Sequence, residues 1–373
     1  MSTYTDAAEM PLPLGFKCLF KIYISKETNM IMKARIRSFF KSTLLLGSLF
    51  FGYGGASQAY AKEQTLLNVS YDPTRELYQE IDKVFTKNWD TAHPNDSVLV
   101  HTSHGGSAVQ ARAVLDGAPA DVVTLCVSYD IDVLAKKGLL PLDWRQHYPH
   151  DSTPYRSIIV FLVRKGNPKN IHNWPDLIRK GVQVIIPNPK TSGEARWDYL
   201  AAWGWALRQP GSNAQTGREY ISKLFAHVPI LNTGARGATN TFVQRGQGDV
   251  LVTLENEALL AIKKLGADKF DIVVPPVTIQ TDSPVAMVTR NVQKHDTKDV
   301  ANAYLNFLFT PEGQRIGAQH YFRPTDPKTM AEFSSSFPKT NTFDVKSLGG
   351  WQTVQKEHFA NGALFDQITT SDK

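Results

Sequence analysis

The sequence has few cysteines, little excess charge beyond its first sixty residues and few long apolar runs. Only Cys18 and Cys126 occur in 373 residues, too few for a disulfide framework, and Cys126, set in an apolar run, reads as a small buried hydrophobe. The ten histidines are scattered; His101 and His104 are the nearest to ligand spacing, no His or Cys pair has zinc spacing, and no metal or cofactor is expected. The G-x-S-x-G of an α/β-hydrolase is absent, as is the G-x-x-x-x-G-K-[ST] frame of a nucleotide-binding loop. Lys and Arg number 41 against 35 Asp and Glu, a net of +6. Seven of the bases (Lys17, Lys21, Lys26, Lys33, Arg35, Arg37, Lys41) and only three acids (Asp6, Glu9, Glu27) lie in residues 1–61. The remainder holds 34 against 32, which argues against a nucleic-acid partner. No apolar run reaches the roughly 20 residues of a spanning helix.

What is present begins with an address. Lys33, Arg35, Arg37 and Lys41 precede the apolar run Thr43–Phe51, and small residues with Ala59-Tyr60-Ala61 follow. Basic region, short apolar region and A-x-A site together form a secretory signal peptide. Cleavage after Ala61 leaves Lys62–Lys373, 312 residues, soluble and outside the cytoplasmic membrane. The stretch before Met30 or Met32 adds nothing to that signal. With 42% hydrophobic and 20% charged residues, the mature chain can bury the core of two domains.

Short apolar runs alternate with helix-period segments, the pattern of an α/β fold with mostly parallel strands. Four strand-to-helix switches stand out: Leu66–Ser70 into Tyr71-Asp72-Pro73, Ser97–His101 into Ser103–Ser107, Val182–Ile186 into Asn188–Glu194, and Val228–Leu231 into Thr233–Gly237. A fifth, Asp121–Cys126, leads through Ser128-Tyr129-Asp130. Asp72 suits an N-cap and Pro73 the first helical position. Ser157–Val163 is suited to carry the chain into a second lobe, and Pro284–Val288 to carry it back. The arrangement predicts lobe I over residues 62–156 and 282–325 and lobe II over 157–281, with residues 326–373 assigned to neither.

A helix N-terminus offers unpaired N–H groups and about half a positive charge. Glycine admits close backbone approach and serine adds a hydroxyl donor. Several such ends in one cleft would suit a small anion, although each loop taken singly is ordinary βα connection chemistry. Ser103-His104-Gly105-Gly106 resembles an oxyanion loop, so an exported esterase using Ser107 or Ser192 with His104 is the alternative. Neither serine has an accompanying base–acid pattern. Trp197, Trp203 and Trp205 read as packing residues, and Glu255 and Glu257 as a solvated helix start.

The nonapeptide Asn188-Pro189-Lys190-Thr191-Ser192-Gly193-Glu194-Ala195-Arg196 resembles the N-P-K-[ST]-S-G-x-A-R signature of the prokaryotic sulfate-binding protein family. Asn68–Glu76, Ser103–Ser107, Gly234–Gly237 and Phe359-Ala360-Asn361-Gly362 resemble the same family, over essentially Leu66 to Ile368. The resemblance implies a two-lobed type II periplasmic binding fold, each lobe a mostly parallel sheet flanked by helices, with the ligand in the interlobe cleft. It further implies a periplasmic protein that captures sulfate, or thiosulfate or another tetrahedral oxyanion, and delivers it to an inner-membrane ATP-binding-cassette permease. No catalysis is implied, and a monomer is expected.

Carried over by motif, the donors are the Asp72 N–H, the Ser107 and Ser192 hydroxyls, and the N–H groups of Gly193, Glu194 and Ala235. His104, Asp130, Arg196 and Arg236 would tie these donors into wider networks. Glu194 stands where some members have glycine, and a negative charge there should not help. The family commonly places a donating tryptophan before its Glu-Asn-Glu run, where this chain has Leu254. One donor is therefore missing, or a water or another side chain replaces it.

Overall fold

A computed structural model describes residues 62–370; the export signal expected within residues 1–61 lies outside them. The chain runs β1 (Lys62–Tyr71), α1 (Arg75–Ala92), β2 (Asp96–Gly105), α2 (Ser107–Leu115), β3 (Val122–Thr124), α3 (Ser128–Lys136) and the single turn α4 (Pro149–Ser152). It continues through β4 (Tyr155–Arg164), β5 (Val184–Ile185), α5 (Gly193–Ala206), α6 (Ala214–Ala226), α7 (Ala235–Val243), β6 (Val250–Leu254) and α8 (Glu255–Leu265). Strands β7 (Phe270–Val273), β8 (Val277–Ser283) and β9 (Val285–Met287) follow. Helices Thr289–His295, Lys298–Phe307 and Pro311–Gln319 lead to β10 (Arg323–Pro324), β11 (Asn341–Phe343) and a final helix Leu364–Thr370.

The strands form two sheets, ordered β2-β1-β3-β9 and β11-β8-β4-β6-β5, with β7 and β10 also on β4. In the first, β1 runs parallel to β2 and β3, and β9 closes the edge antiparallel to β3. The second is built around β4, which runs antiparallel to β6, β7, β8 and β10, while β5 pairs β6 and β11 pairs β8 in parallel. Its mixed character follows from β4, which enters from the first sheet against the direction of the strands around it.

Alternation along a strand assigns the cores, because successive side chains point to opposite faces. In β4, Ile159, Phe161 and Val163 face one apolar cluster, and Ile158, Val160 and Leu162 face another. A strand buried on both faces reads as an unbroken apolar run, as Ser157–Val163 does. In the first sheet, Leu66, Val122 and Val285 face one side, and Val69, Val123 and Ala286 the other. Tyr304, Leu305 and Phe322 pack with the first sheet. The late residues Trp351, Val354, Phe359, Phe365 and Ile368 share the cluster of α5 and the second sheet. The expected lobe limits at 156/157 and 281/282 fall inside β4 and β8. Among the described residues, no helix is long and apolar enough to cross a membrane.

One expected strand does not form. Residues 228–231 have no strand pairing. Pro229 has no N–H to give, and the segment is held at its ends, where Val184 N–H donates to His227 O and Asn188 N–H to Asn232 O. The helix beyond it, α7, still begins at the expected Gly-Ala.

The two halves meet through backbone. A Cβ on Gly106, which precedes α2, would lie 2.5 Å from Thr191 O and 3.1 Å from Thr233 O. Gly106 has φ −61, so sterics alone require glycine here. Gly106→Ala is expected to push the loops before α5 and α7 off α2. Small-angle scattering should then show a larger radius of gyration than wild type; an unchanged profile and melting temperature would contradict this.

Candidate functional site

Asp72, Ser107, Ser192, Gly193, Glu194 and Ala235 all line one small, tightly closed cleft, with Tyr71, Pro73, Gly105 and Gly106 completing its wall. Each lies at or beside a helix start. Asp72 opens the 3-10 turn Asp72–Thr74, Ser107 opens α2, Gly193 and Glu194 open α5, and Ala235 opens α7. First-turn N–H groups have no intrahelical carbonyl to meet, and the helix dipole adds partial positive charge. No Lys or Arg lines the cavity. An anion placed there would meet helix-start N–H groups and no cationic side chain, with the Asp72 and Glu194 residues on the same wall.

The side chains refine the expected roles. The Ser192 Oγ accepts from Ala195 N–H at 3.3 Å, which leaves its proton to donate. Ser107 differs from expectation: its hydroxyl donates to Asp130 Oδ2 at 2.7 Å and accepts from Cys126 N–H at 3.1 Å. With that proton directed to a carboxylate, the Ser107 hydroxyl is not free to donate to a ligand. Asp72 is not the N-cap expected of it. Tyr71 occupies that position, and the Asp72 carboxylate lies beside Gly234, where a Cβ would come within 2.4 Å of Oδ2. Burial raises its pKa against the pull of Arg75 and Arg236.

Behind the donors run three ties. Arg196 on α5 donates from Nη1 to Asp130 Oδ1 on α3 at 2.8 Å and from Nε to Pro189 O at 3.1 Å. The Arg196 and Asp130 side chains are 6% and 5% exposed. Arg236 forks onto Glu76 of α1 at 3.0 and 2.9 Å, and its Nε lies 3.0 Å from Glu257 Oε1 without the alignment of a hydrogen bond. Burial pushes Glu76 up, but Arg236 and Lys264 bring it down to about 2. His104 sits with Nδ1 3.3 Å from Tyr71 O; burial pushes its pKa down to about 4, so it is neutral near pH 7.

Leu254, the expected place of an altered donor, does not line the cavity. It is buried at the end of β6, in the apolar cluster that holds Tyr71 and Cys126. Glu255 and Glu257 depart from the expected solvated helix start, since both are buried. Glu255 is bound by Arg323 at 2.7 and 2.9 Å, and Glu257 faces Arg236. The start of α8 packs inside the fold, where a carboxylate requires a cation.

Sequence reasoning named Glu194 for its N–H, tolerable with an outward carboxylate, and missed both the burial of that carboxyl and Asp198 beside it on α5. Glu194 is 1% exposed and Asp198, one turn later, 0%. Glu194 Oε1 accepts from Thr253 Oγ1 at 2.9 Å. Its Oε2, and both Asp198 oxygens, have no hydrogen-bond partner among the described residues. Burial, with Glu257 nearby, pushes Glu194 up to about 8. Burial, with Glu194 nearby, pushes Asp198 well above the carboxylate range. The signal was available: Trp197, Leu200, Trp203 and Ala206 occupy one side of α5, Ala195, Ala202 and Trp205 flank the two acids on the other, and a helix apolar on both sides is buried.

A family model described as bacterial extracellular solute-binding protein matches residues 66–323. A sulfate-binding protein of Escherichia coli is 51% identical over 315 residues, 84% of this chain and 95% of that protein. A thiosulfate-binding protein of Pseudomonas aeruginosa is 46% identical over 335 residues, 89% of this chain and 99% of that protein. The solved sulfate-binding protein SubI of Mycobacterium tuberculosis superposes with a TM-score of 0.72 and 35% identity, over 79% of this chain and 99% of its own.

The buried acids set a pH dependence of stability. In the unfolded chain such carboxyls lose their protons near pH 4, while the folded chain keeps that of Glu194 up to about 8. The unfolded state then binds fewer protons, so stability falls as pH rises through this window, by up to about 1.4 kcal/mol per pH unit for each such group. Asp198→Asn removes one ionisation at nearly constant shape. Its melting temperature should exceed that of wild type at pH 8 and approach it at pH 4. A gain of equal size at both pH values would rule out ionisation as the cause.

Proposed function

Because the chain belongs to the bacterial extracellular solute-binding protein family, we propose that it captures sulfate and delivers it to an ATP-binding-cassette importer. The carrying observation is the cavity in which helix starts from both sheets present N–H and hydroxyl donors with no cation on the wall. Sulfate has no proton to donate near neutral pH, so a wall of donors matches all four of its oxygens. Phosphate keeps a proton that would face those donors. The sulfate-binding names of the Escherichia coli and Mycobacterium tuberculosis relatives support the same ligand. Thiosulfate is the second reading, favoured by the Pseudomonas aeruginosa relative of that name.

In this reading the Asp72, Ser107, Gly193, Glu194 and Ala235 N–H groups and the Ser192 hydroxyl hold the anion. The two sheets belong to lobes that close on it, residues 62–156 and 282–325 against 157–281, and the partner is an inner-membrane permease. The protein works as a periplasmic monomer, exported by a signal cleaved after Ala61. Turnover has no support: the Ser107 hydroxyl points to Asp130, and His104 is turned to Tyr71 O.

Calorimetric titration with sulfate, thiosulfate, phosphate and molybdate tests the ligand, with sulfate or thiosulfate expected tightest. Ser192→Ala should weaken binding roughly tenfold to a hundredfold, the usual loss for a hydrogen bond to a charged group. An unchanged affinity would make the Ser192 loop merely structural. N-terminal sequencing of exported protein should begin at Lys62; retention of Thr43–Phe51 would sink the cleavage site.

A further inference from the structure

Glu194 is the one acid on the cavity wall whose carboxyl is almost wholly buried and only half satisfied. Oε1 is engaged by the Thr253 hydroxyl, and Oε2 meets no partner among the described residues. Every element packed around it brings charge or a titratable group. Its own helix carries Asp198 and Arg196, α8 carries Glu257, the turn after β1 carries Tyr71 and Asp72, β3 leads into Cys126, and α7 carries Arg236. The two guanidiniums already face acids of their own, Arg196 with Asp130 and Arg236 with Glu76 and Glu257. An ionised Glu194 would thus lack a cation and would repel any anion at the neighbouring N–H groups. A neutral Glu194 behaves in the opposite way. With Oε1 accepting from Thr253, the proton resides on Oε2, and a neutral carboxyl is a strong hydrogen-bond donor.

We infer that Glu194 is a specificity-determining residue of this pocket, held neutral so that its carboxyl O–H donates to the bound oxyanion, and that capture is therefore proton-linked. The inference rests on the oxyanion reading above. When the free protein has lost this proton, one must be taken from solvent for each anion bound. Sulfate keeps both its charges across the range concerned, so a pH effect belongs to the protein.

The test is calorimetric titration of the purified protein with sodium sulfate from pH 6.5 to 9.5. The wild-type Kd should be flat at the acid end and rise tenfold per unit at the alkaline end, roughly thirtyfold overall. Comparison of buffers with different ionisation enthalpies should show uptake approaching one proton per sulfate at pH 9.5. Glu194→Gln places an N–H donor where the O–H was and cannot ionise, so its Kd should be independent of pH with no such uptake. A flat wild-type Kd without proton uptake overturns the inference while leaving sulfate binding intact. A Glu194→Gln protein with the wild-type slope assigns the proton elsewhere and also overturns it. Should that variant fail to fold, Asp198→Asn must keep the uptake of about one proton per sulfate; its loss there would assign the proton to Asp198 and overturn the inference. Phosphate affinity that strengthens towards pH 9.5 would make Glu194 an acceptor and overturn the donor role. Absence of binding to sulfate at pH 6.5 would sink the oxyanion reading, and this inference with it.

Discussion

Donors fixed in backbone can surround a small anion only if helix starts from both sheets come closer than side chains normally permit, and the rest of the structure follows from that constraint. At Gly106 and Gly193 a single Cβ would collide, in the second case with Cys126 Cβ at 2.6 Å and Ser107 Cβ at 2.8 Å. The approach is locked by hydrogen bonds that cross between the halves. Trp197 Nε1 donates to Cys126 O at 2.9 Å, and Arg196 meets Asp130 within the same layer. A buried ion pair contributes little net stability, because desolvation offsets the attraction. Its geometry, however, permits one arrangement of α3 against α5, and the donors stand on those elements and their neighbours.

Keeping cations off the cavity wall has an electrostatic consequence. Asp72, Glu76, Asp130, Glu194, Asp198 and Glu257 crowd the region, and the guanidiniums of Arg196 and Arg236 are the cations buried among them. Acids with a guanidinium partner can remain charged; those without one must keep a proton, since an isolated buried carboxylate is too costly. Burial outweighs even the pull of Arg236 at Asp72 and Glu257, which are raised as well. Glu76 is held low by Arg236 and Lys264, while Glu194 and Asp198 are pushed up by burial. Burial as well as ion pairing thus sets the charge balance behind the donors.

Much of this was legible in the sequence because it depends on local rules. Gly, Ser and Pro mark helix starts wherever they stand, so the loops at Asp72, Ser107, Ser192 and Ala235 could be found one by one. Their meeting in one cavity is a tertiary fact that no spacing encodes. The strand expected at 228–231 failed because apolar content outweighed Pro229 in that reading, whereas in the fold the missing N–H prevailed. The acids were misread for a related reason. Glu255 and Glu257 look like an ordinary charged first turn, and nothing nearby in sequence announces Arg323 or Arg236. For Glu194 and Asp198 the clue lay in their helix: α5 has no polar stripe, so its charged residues had no solvent to face.

The two departures that the resemblance implies stand in different surroundings: Glu194 lines the cleft and Leu254 lies in the apolar core. Leu254 stands where relatives commonly place an indole donor, and Glu194 where some have glycine. Thr253, which holds the Glu194 carboxyl, precedes Leu254 on β6, but successive strand side chains point to opposite faces, and Leu254 turns into the apolar cluster of Val252 and Tyr71. Exchange of an indole for a neutral carboxyl would keep a donor in the region while changing its character. An indole N–H donates at every ordinary pH, whereas a carboxyl donates only while it keeps its proton. On the proposed reading, a pocket otherwise built from backbone N–H groups and the Ser192 hydroxyl, which do not titrate near neutral pH, acquires one component that does.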